Sequence, residues 1–265
     1  MKKLAKYIIE EKSVYLFYPT SGRGNAVDRI ITAHTEDFWW DKCLTGYDDD
    51  YNFIQSPLDY TENSKGQYFS TAQAYCKTIV HFPHLMYFLH SDQYNLNNNI
   101  TYDSIQTFLS NELESFDIQN KKLLKSFLDS GKKIVVPSHL NTNTMYNLFQ
   151  TNVPIIHLWA DKDYFEGRNF YKKNIPKTFS IFFKPYLSEK NILNIEVSKL
   201  FSDDWYEYSN EYDKLYDFLN FKKSRKNAVR AFILAYLERN KIFKNYDDVI
   251  FQEIEKRKNE QFGRY

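Results

Sequence analysis

Two short stretches of the chain carry residue types that do chemistry. Thr20, Ser21, Gly22, Arg23, Gly24 and Asn25 bring hydroxyls, two glycines and a guanidinium together in consecutive positions. Glycines let a backbone turn tightly and bring its N–H groups close to an anion. A helix opening directly afterwards, over Ala26–Ile31, would aim its positive end at that anion. The second stretch is Pro137-Ser138-His139-Leu140, where a histidine follows a strand-like run. Open parallel sheets bind ligands at the C-terminal ends of their strands, and an imidazole with an unperturbed pKa of about 6.5 suits proton transfer at neutral pH. His84, in VHFPHL, is the competing base, because it too follows a strand-like run. Each feature has a plainer reading. The glycines could simply permit a turn, and His139 could cap a helix or hydrogen-bond within the core.

The elements that must position these residues are legible as periodicity. Val14-Tyr15-Leu16-Phe17-Tyr18 is a β-branched and aromatic run, read as a buried strand that Pro19 ends. A short helix over residues 4–11 leads into it, and a helix from Ala26 to about Cys43 follows, with Val27, Ile30, Ile31 and His34 on one face. Further strands are expected at Thr78–Phe82, Lys132–Pro137, Val153–Trp159 and Leu193–Ser198. Helices are expected at Ser104–Ser130 (one or two, ended by Gly131), Asn143–Gln150 and Asp161–Lys173. Tyr212, Leu215, Tyr216 and Leu219 fall at helical spacing, as do Val229, Phe232, Ile233, Tyr236 and Leu237. Apolar strands alternating with helices indicate an α/β protein. The expected fold is three-layered, with a mostly parallel central sheet of about four or five strands flanked by helices. No repeat, linker or composition break divides residues 1–265, so a single domain is expected.

Composition narrows the function classes. The 35 basic and 34 acidic side chains nearly cancel, leaving +1, so no basic field exists to hold nucleic acid or an anionic membrane non-specifically. The 22 Tyr and 22 Phe are read as core, since no RNA-binding aromatic motif accompanies them. Cys43 and Cys76 alone make no disulfide framework. Glu10, Glu11 and Lys12 interrupt the only apolar N-terminal run, and nothing is long enough to cross a bilayer. A soluble, cytoplasmic protein with reduced thiols is expected. Asp48-Asp49-Asp50 matches no calcium loop, and His81, His84 and His90 match no zinc spacing, so no metal is expected. Lys222-Lys223-Ser224-Arg225-Lys226, at the start of a helix, reads as a solvated loop or an anion-binding surface.

The order of these segments resembles the sulfotransferase family. Tyr18-Pro19-Thr20-Ser21-Gly22-Arg23-Gly24-Asn25 is similar to that family's first motif, which follows the first strand and wraps a 5′-phosphosulfate. Pro137-Ser138-His139-Leu140-Asn141, after the strand KKIVV, is similar to the second, which carries the general base. A later strand, VPIIHLW, and its following helix with Asp161, Lys162 and Arg168 stand where the family holds the 3′-phosphate. The resemblance covers roughly residues 13–30 and 132–240, in order and spacing more than identity. It implies a P-loop-like fold and a 3′-phosphoadenosine 5′-phosphosulfate donor. It also implies a small-molecule or glycan hydroxyl acceptor, with His139 as base and residues 20–25 around the phosphosulfate.

The departures from the family pattern are as informative as the matches. The family's loop lysine is Thr20 here, so Arg23 would take over its catalytic charge. The arginine for the 3′-phosphate falls near Ala160 or Asp161, leaving Arg168 to contact a phosphate from its helix. An alternative function follows, a non-catalytic binding or structural protein on the same fold. A nucleotide kinase is disfavoured, because G-x-x-x-x-G-K-[ST] and a clear magnesium-binding pair are both missing.

Overall fold

A computed structural model describes residues 1–18, 23–39, 101–116, 118–138, 153–166, 181–186 and 189–238. In chain order the elements are α1 (Lys2–Glu11), β1 (Ser13–Phe17), α2 (Gly24–Thr32), α3 (Tyr102–Ser115), α4 (Ile118–Ser130) and β2 (Ile134–Ser138). They continue with β3 (Ile155–Trp159), α5 (Lys162–Glu166), β4 (Ile192–Glu196), α6 (Val197–Leu200) and α7 (Trp205–Leu219). A last helix, α8, covers residues 226–238. The expected strand at 78–82 and the helix at 143–150 lie outside the described residues.

The described strands form one sheet in the order β2-β1-β3-β4, with every pairing parallel. β1 is central. Ser13 to Phe17 run opposite Ile134 to Ser138, while Tyr15, Leu16 and Phe17 face Ile155, Ile156 and His157. All five β1 residues are buried, which is why this strand reads as an unbroken apolar run instead of alternating.

Side chains from successive positions go to opposite faces. Tyr15 and Phe17 join a core with Ile8 and Ile9 of α1, Leu109 and Leu113 of α3, and Phe127 of α4. Val14, Leu16 and Tyr18 join a second core with Val27 and Ile30 of α2, Tyr208, Tyr212 and Leu215 of α7, and Phe232 and Tyr236 of α8. Helices therefore cover both faces of the sheet.

Several boundaries differ from expectation; α1 begins at Lys2 and β2 covers Ile134–Ser138. α2 stops at Thr32, well short of Cys43. The Thr32 hydroxyl donates back to the Asp28 carbonyl at 2.9 Å, and the Ala33 and His34 N–H groups close the helix end on the Arg29 and Ile31 carbonyls. The chain then turns so that buried Phe38 forms a parallel bridge with Lys133, next to β2. The expected strand over Leu193–Ser198 is shifted to Ile192–Glu196, because Val197–Leu200 coils into α6. Gly131, at φ +66°, ends α4 as expected.

Candidate functional site

The strand order sets where a ligand can enter. From β1 the chain leads to β2 on one side, and from β3 it leads to β4 on the other. Connections that diverge from two adjacent strands leave a crevice beyond their C-terminal ends. Among the described strands that crevice lies between β1 and β3, where the loop carrying Arg23 and Gly24 enters α2.

Gly24 is the first residue of α2. A Cβ placed there would lie 2.2 Å from three ring atoms of Tyr18, far inside van der Waals contact. The glycine is thus required by the ring that seals the end of β1. Arg23 precedes it as the helix N-cap, with φ 60° and ψ 17°. This is left-handed backbone, uncommon for a residue with a Cβ. Its carbonyl accepts from the N–H groups of Ala26 and Val27, each at 3.0 Å. Its guanidinium carbon lies 4.6 Å from the ring centroid of Phe201, 5.4 Å from Tyr236 and 5.6 Å from Tyr164. The cation of the loop is thus set among aromatic rings, two of which, Phe201 and Tyr236, belong to the core under α2, α7 and α8.

Asn25 lies in the first turn of α2. Thr20, Ser21, Gly22, His139 and Arg168 lie outside the described residues, as does the competing His84. β2, which leads to His139, ends with Ser138 opposite Phe17, level with the end of β1. Ala160 is fully buried and donates its N–H to the Phe182 carbonyl at 3.0 Å. Asp161 is exposed. Neither position offers a cation for a 3′-phosphate. Among the described residues no three His, Cys, Asp or Glu side chains converge as a metal site.

Below the loop, α2 buries charge. Asp28 and Arg29 are 2% and 0% exposed. Burial pushes the Asp28 carboxyl up to about 7, against the opposing pull of Arg29. His34, at the end of the same segment, is completely buried and stacks on Phe221 with centroids 3.5 Å apart. Burial lowers its pKa to about 4, so the ring is neutral at pH 7. Its Nδ1 lies 3.0 Å from the Lys223 carbonyl and its Nε2 3.2 Å from the Tyr212 hydroxyl. The consistent assignment has Nδ1–H donating to Lys223, Tyr212 donating to Nε2, and Tyr212 accepting from the Arg225 N–H at 2.8 Å. His34 is therefore a tie between α2 and the segment before α8.

The basic cluster at 222–226 is largely spoken for. Arg225 meets Glu36 at 2.5 Å, Lys226 meets Asp213 at 2.6 Å, and Lys222 stands 3.7 Å from Asp37. These cations join α8 to α7 and to the turn after α2, which argues against an anion-binding surface there.

One buried histidine escaped the sequence reading. His157, within VPIIHLW, sits in β3 opposite Phe17 and Asn194. It stacks on Phe182 at 5.4 Å, and burial lowers its pKa to about 4. A histidine in the middle of an apolar run was the available signal. The ring lies in the α1, α3 and α4 core, on the opposite face of the sheet from Arg23.

No family model, curated protein or solved structure matches this chain.

Proposed function

We propose that this chain is a sulfotransferase-like enzyme. It moves a sulfuryl group from 3′-phosphoadenosine 5′-phosphosulfate to a hydroxyl of a small molecule or glycan. One observation carries the reading: Arg23 and Gly24 open a helix after the central parallel strand β1, from which and from the adjacent β3 the chain runs to opposite sides of the sheet. A guanidinium next to a helix N-terminus suits a phosphosulfate.

In this reading residues 20–25 surround the phosphosulfate and His139 takes the proton of the acceptor hydroxyl. The acceptor oxygen bonds to sulfur as the bridging sulfur–oxygen bond breaks. Adenosine 3′,5′-bisphosphate leaves with its new negative charge beside Arg23. Such a transfer asks the protein for positioning, a base and positive charge.

Calorimetry with adenosine 3′,5′-bisphosphate tests the proposal. A charge-assisted guanidinium bond contributes roughly 1.5–3 kcal/mol, so Arg23→Ala is expected to weaken binding about 10- to 100-fold. Absence of binding by the unaltered chain at millimolar nucleotide would refute the assignment.

A second reading, a non-catalytic scaffold, draws on the engagement of Arg23 with three rings. It expects Arg23→Ala to lower the melting temperature and to leave nucleotide affinity unchanged.

A further inference from the structure

Large apolar side chains left in water carry information where they gather. Among the described residues those that stay exposed are Met1, Ile118, Trp205, Tyr206 and Leu234, and the last three belong to one corner. Trp205 and Tyr206, 44% and 82% exposed, open α7. Just before that turn, the Arg230 guanidinium of α8 donates to the Ser202 carbonyl at 2.5 Å and to the Asp203 carbonyl at 2.6 Å. Leu234 follows Arg230 by one turn on the same side of α8. The corner is also braced from behind. The Trp205 ring lies 5.6 Å from that of buried Tyr208. Tyr208 in turn sits 5.0 Å from the Arg230 guanidinium carbon and donates its hydroxyl to the Lys226 carbonyl at 2.5 Å.

The surroundings of the two rings are acidic. Positions 203–207 read Asp-Asp-Trp-Tyr-Glu, and all five are exposed. Asp204 spends its Oδ1 on the N–H groups of Tyr206 and Glu207 as the cap of α7. Lys199, whose charge reaches Glu207, is held by Glu196 at 2.7 Å. An indole and a phenol among three carboxylates repel a phosphate or a nucleic acid and attract a cation. A guanidinium suits both halves of the surface, because its plane stacks on a ring while its N–H groups meet carboxylates in pairs; an ammonium does neither as well. Trp and Tyr are also the residue types that dominate binding energy at interfaces, and a braced turn gives up little freedom on binding.

We infer that the first turn of α7 is a docking surface for an arginine-bearing basic segment of another protein. Trp205 and Tyr206 form its stacking platform, Leu234 its apolar flank, and Asp203 and Glu207 its counter-charges. This surface is independent of the proposed sulfuryl transfer.

Titration of the full ¹⁵N-labelled chain with hexa-arginine tests it, read at the Trp205 indole N–H and by calorimetry. Loss of one indole resonance in Trp205→Phe identifies the signal. Hexa-arginine is expected to shift that resonance and to bind at least about threefold more tightly than hexa-lysine. Trp205→Ala and Tyr206→Ala are each expected to weaken binding about tenfold. Asp203→Asn combined with Glu207→Gln is expected to weaken it roughly 3- to 10-fold and to flatten its salt dependence. Asp204 is left intact because it caps the helix. If Trp205→Ala fails to fold, the more exposed Tyr206 supplies the same comparison. No binding at millimolar peptide would overturn the inference, as would binding that leaves the Trp205 resonance in place. Equal affinity for hexa-lysine, or unchanged affinity in the aromatic variants, would reduce the surface to a general acidic field and also overturn it. A resonance that moves with cellobiose and not with the peptide would make the platform a sugar site. One that moves with protein concentration alone, with dimers in sedimentation, would give the surface to a second copy of the chain. Either result would overturn the assignment to a basic partner.

Discussion

Gly24 shows how a single missing methyl shapes the loop. Adding one drives it into the Tyr18 ring at 2.2 Å, and overpacking of this kind costs roughly 1–3 kcal/mol. Gly24→Ala is therefore expected to lower the urea midpoint without changing its slope, and a Tyr18→Leu background should recover part of the loss. The sequence had pointed to this glycine for turning and for anion approach; the partner that requires it is a side chain six residues away, which no local pattern reveals. Buried titratable groups give a second prediction. His34 and His157 have pKa values of about 4, lowered by burial from 6.5. Between pH 6.5 and 4 the unfolded chain takes up protons that the native chain refuses, so stability falls as pH drops through that window. Asp28 works the other way. Its native carboxyl holds a proton up to about pH 7 and its unfolded one releases it near 3.8, so its contribution declines as pH rises between those values. Asp28→Asn is expected to stabilise the chain by roughly 2–4 kcal/mol at pH 8 and by little at pH 4. Urea titrations across that range would show a flat difference between the variant and the parent if Asp28 were not buried as a neutral acid.

At the scale of elements, periodicity did most of the work. Tyr212, Leu215 and Leu219 line the buried side of α7, and Val229, Phe232, Ile233 and Tyr236 do so on α8, as their spacing implied. In α2 the apolar spacing continues to His34 while the helix stops at Thr32. The chain past Thr32 instead turns so that Phe38 is buried and bridges to Lys133 beside β2, a contact about a hundred residues away in sequence that local spacing does not show. The join between β4 and α7 was equally invisible. Glu211 of α7 is 1% exposed, and its Oε2 accepts the Glu196 N–H at 3.0 Å while its Oε1 accepts from Lys214 at 2.5 Å. Removing a buried acceptor leaves its donors unpaired at a cost of about 1–3 kcal/mol. Glu211→Ala should lower the melting temperature measurably, whereas Asp217→Ala, on an exposed position of the same helix, should not. Equal effects would contradict the anchoring role of Glu211.

For the whole molecule, the α/β class was legible and the strand order was not. Strands buried on both faces are alike in composition, so nothing in SVYLF or IIHLW says which lies beside which. Their order predicts a gradient of protection. Among the described strands β1 and β3 are each flanked on both sides, so their amides should exchange with solvent more slowly than those of β2 and β4 if no further strand pairs with these two. Fastest exchange in β1 would contradict the central placement. The ties at the end of α2 carry a consequence for how this chain is born. His34 and Glu36 bond to residues 189 positions later, and Asp37 to one 185 later. At ribosomal speeds of about 5–20 residues per second, the turn after α2 waits roughly 10–40 s for its partners to be synthesised. Over that interval Val27, Ile30 and Ile31 have no α7 or α8 to cover them. Over the synthesis of those intervening residues the nascent chain therefore carries this apolar face of α2 without its α7 and α8 partners, a surface suited to transient chaperone capture.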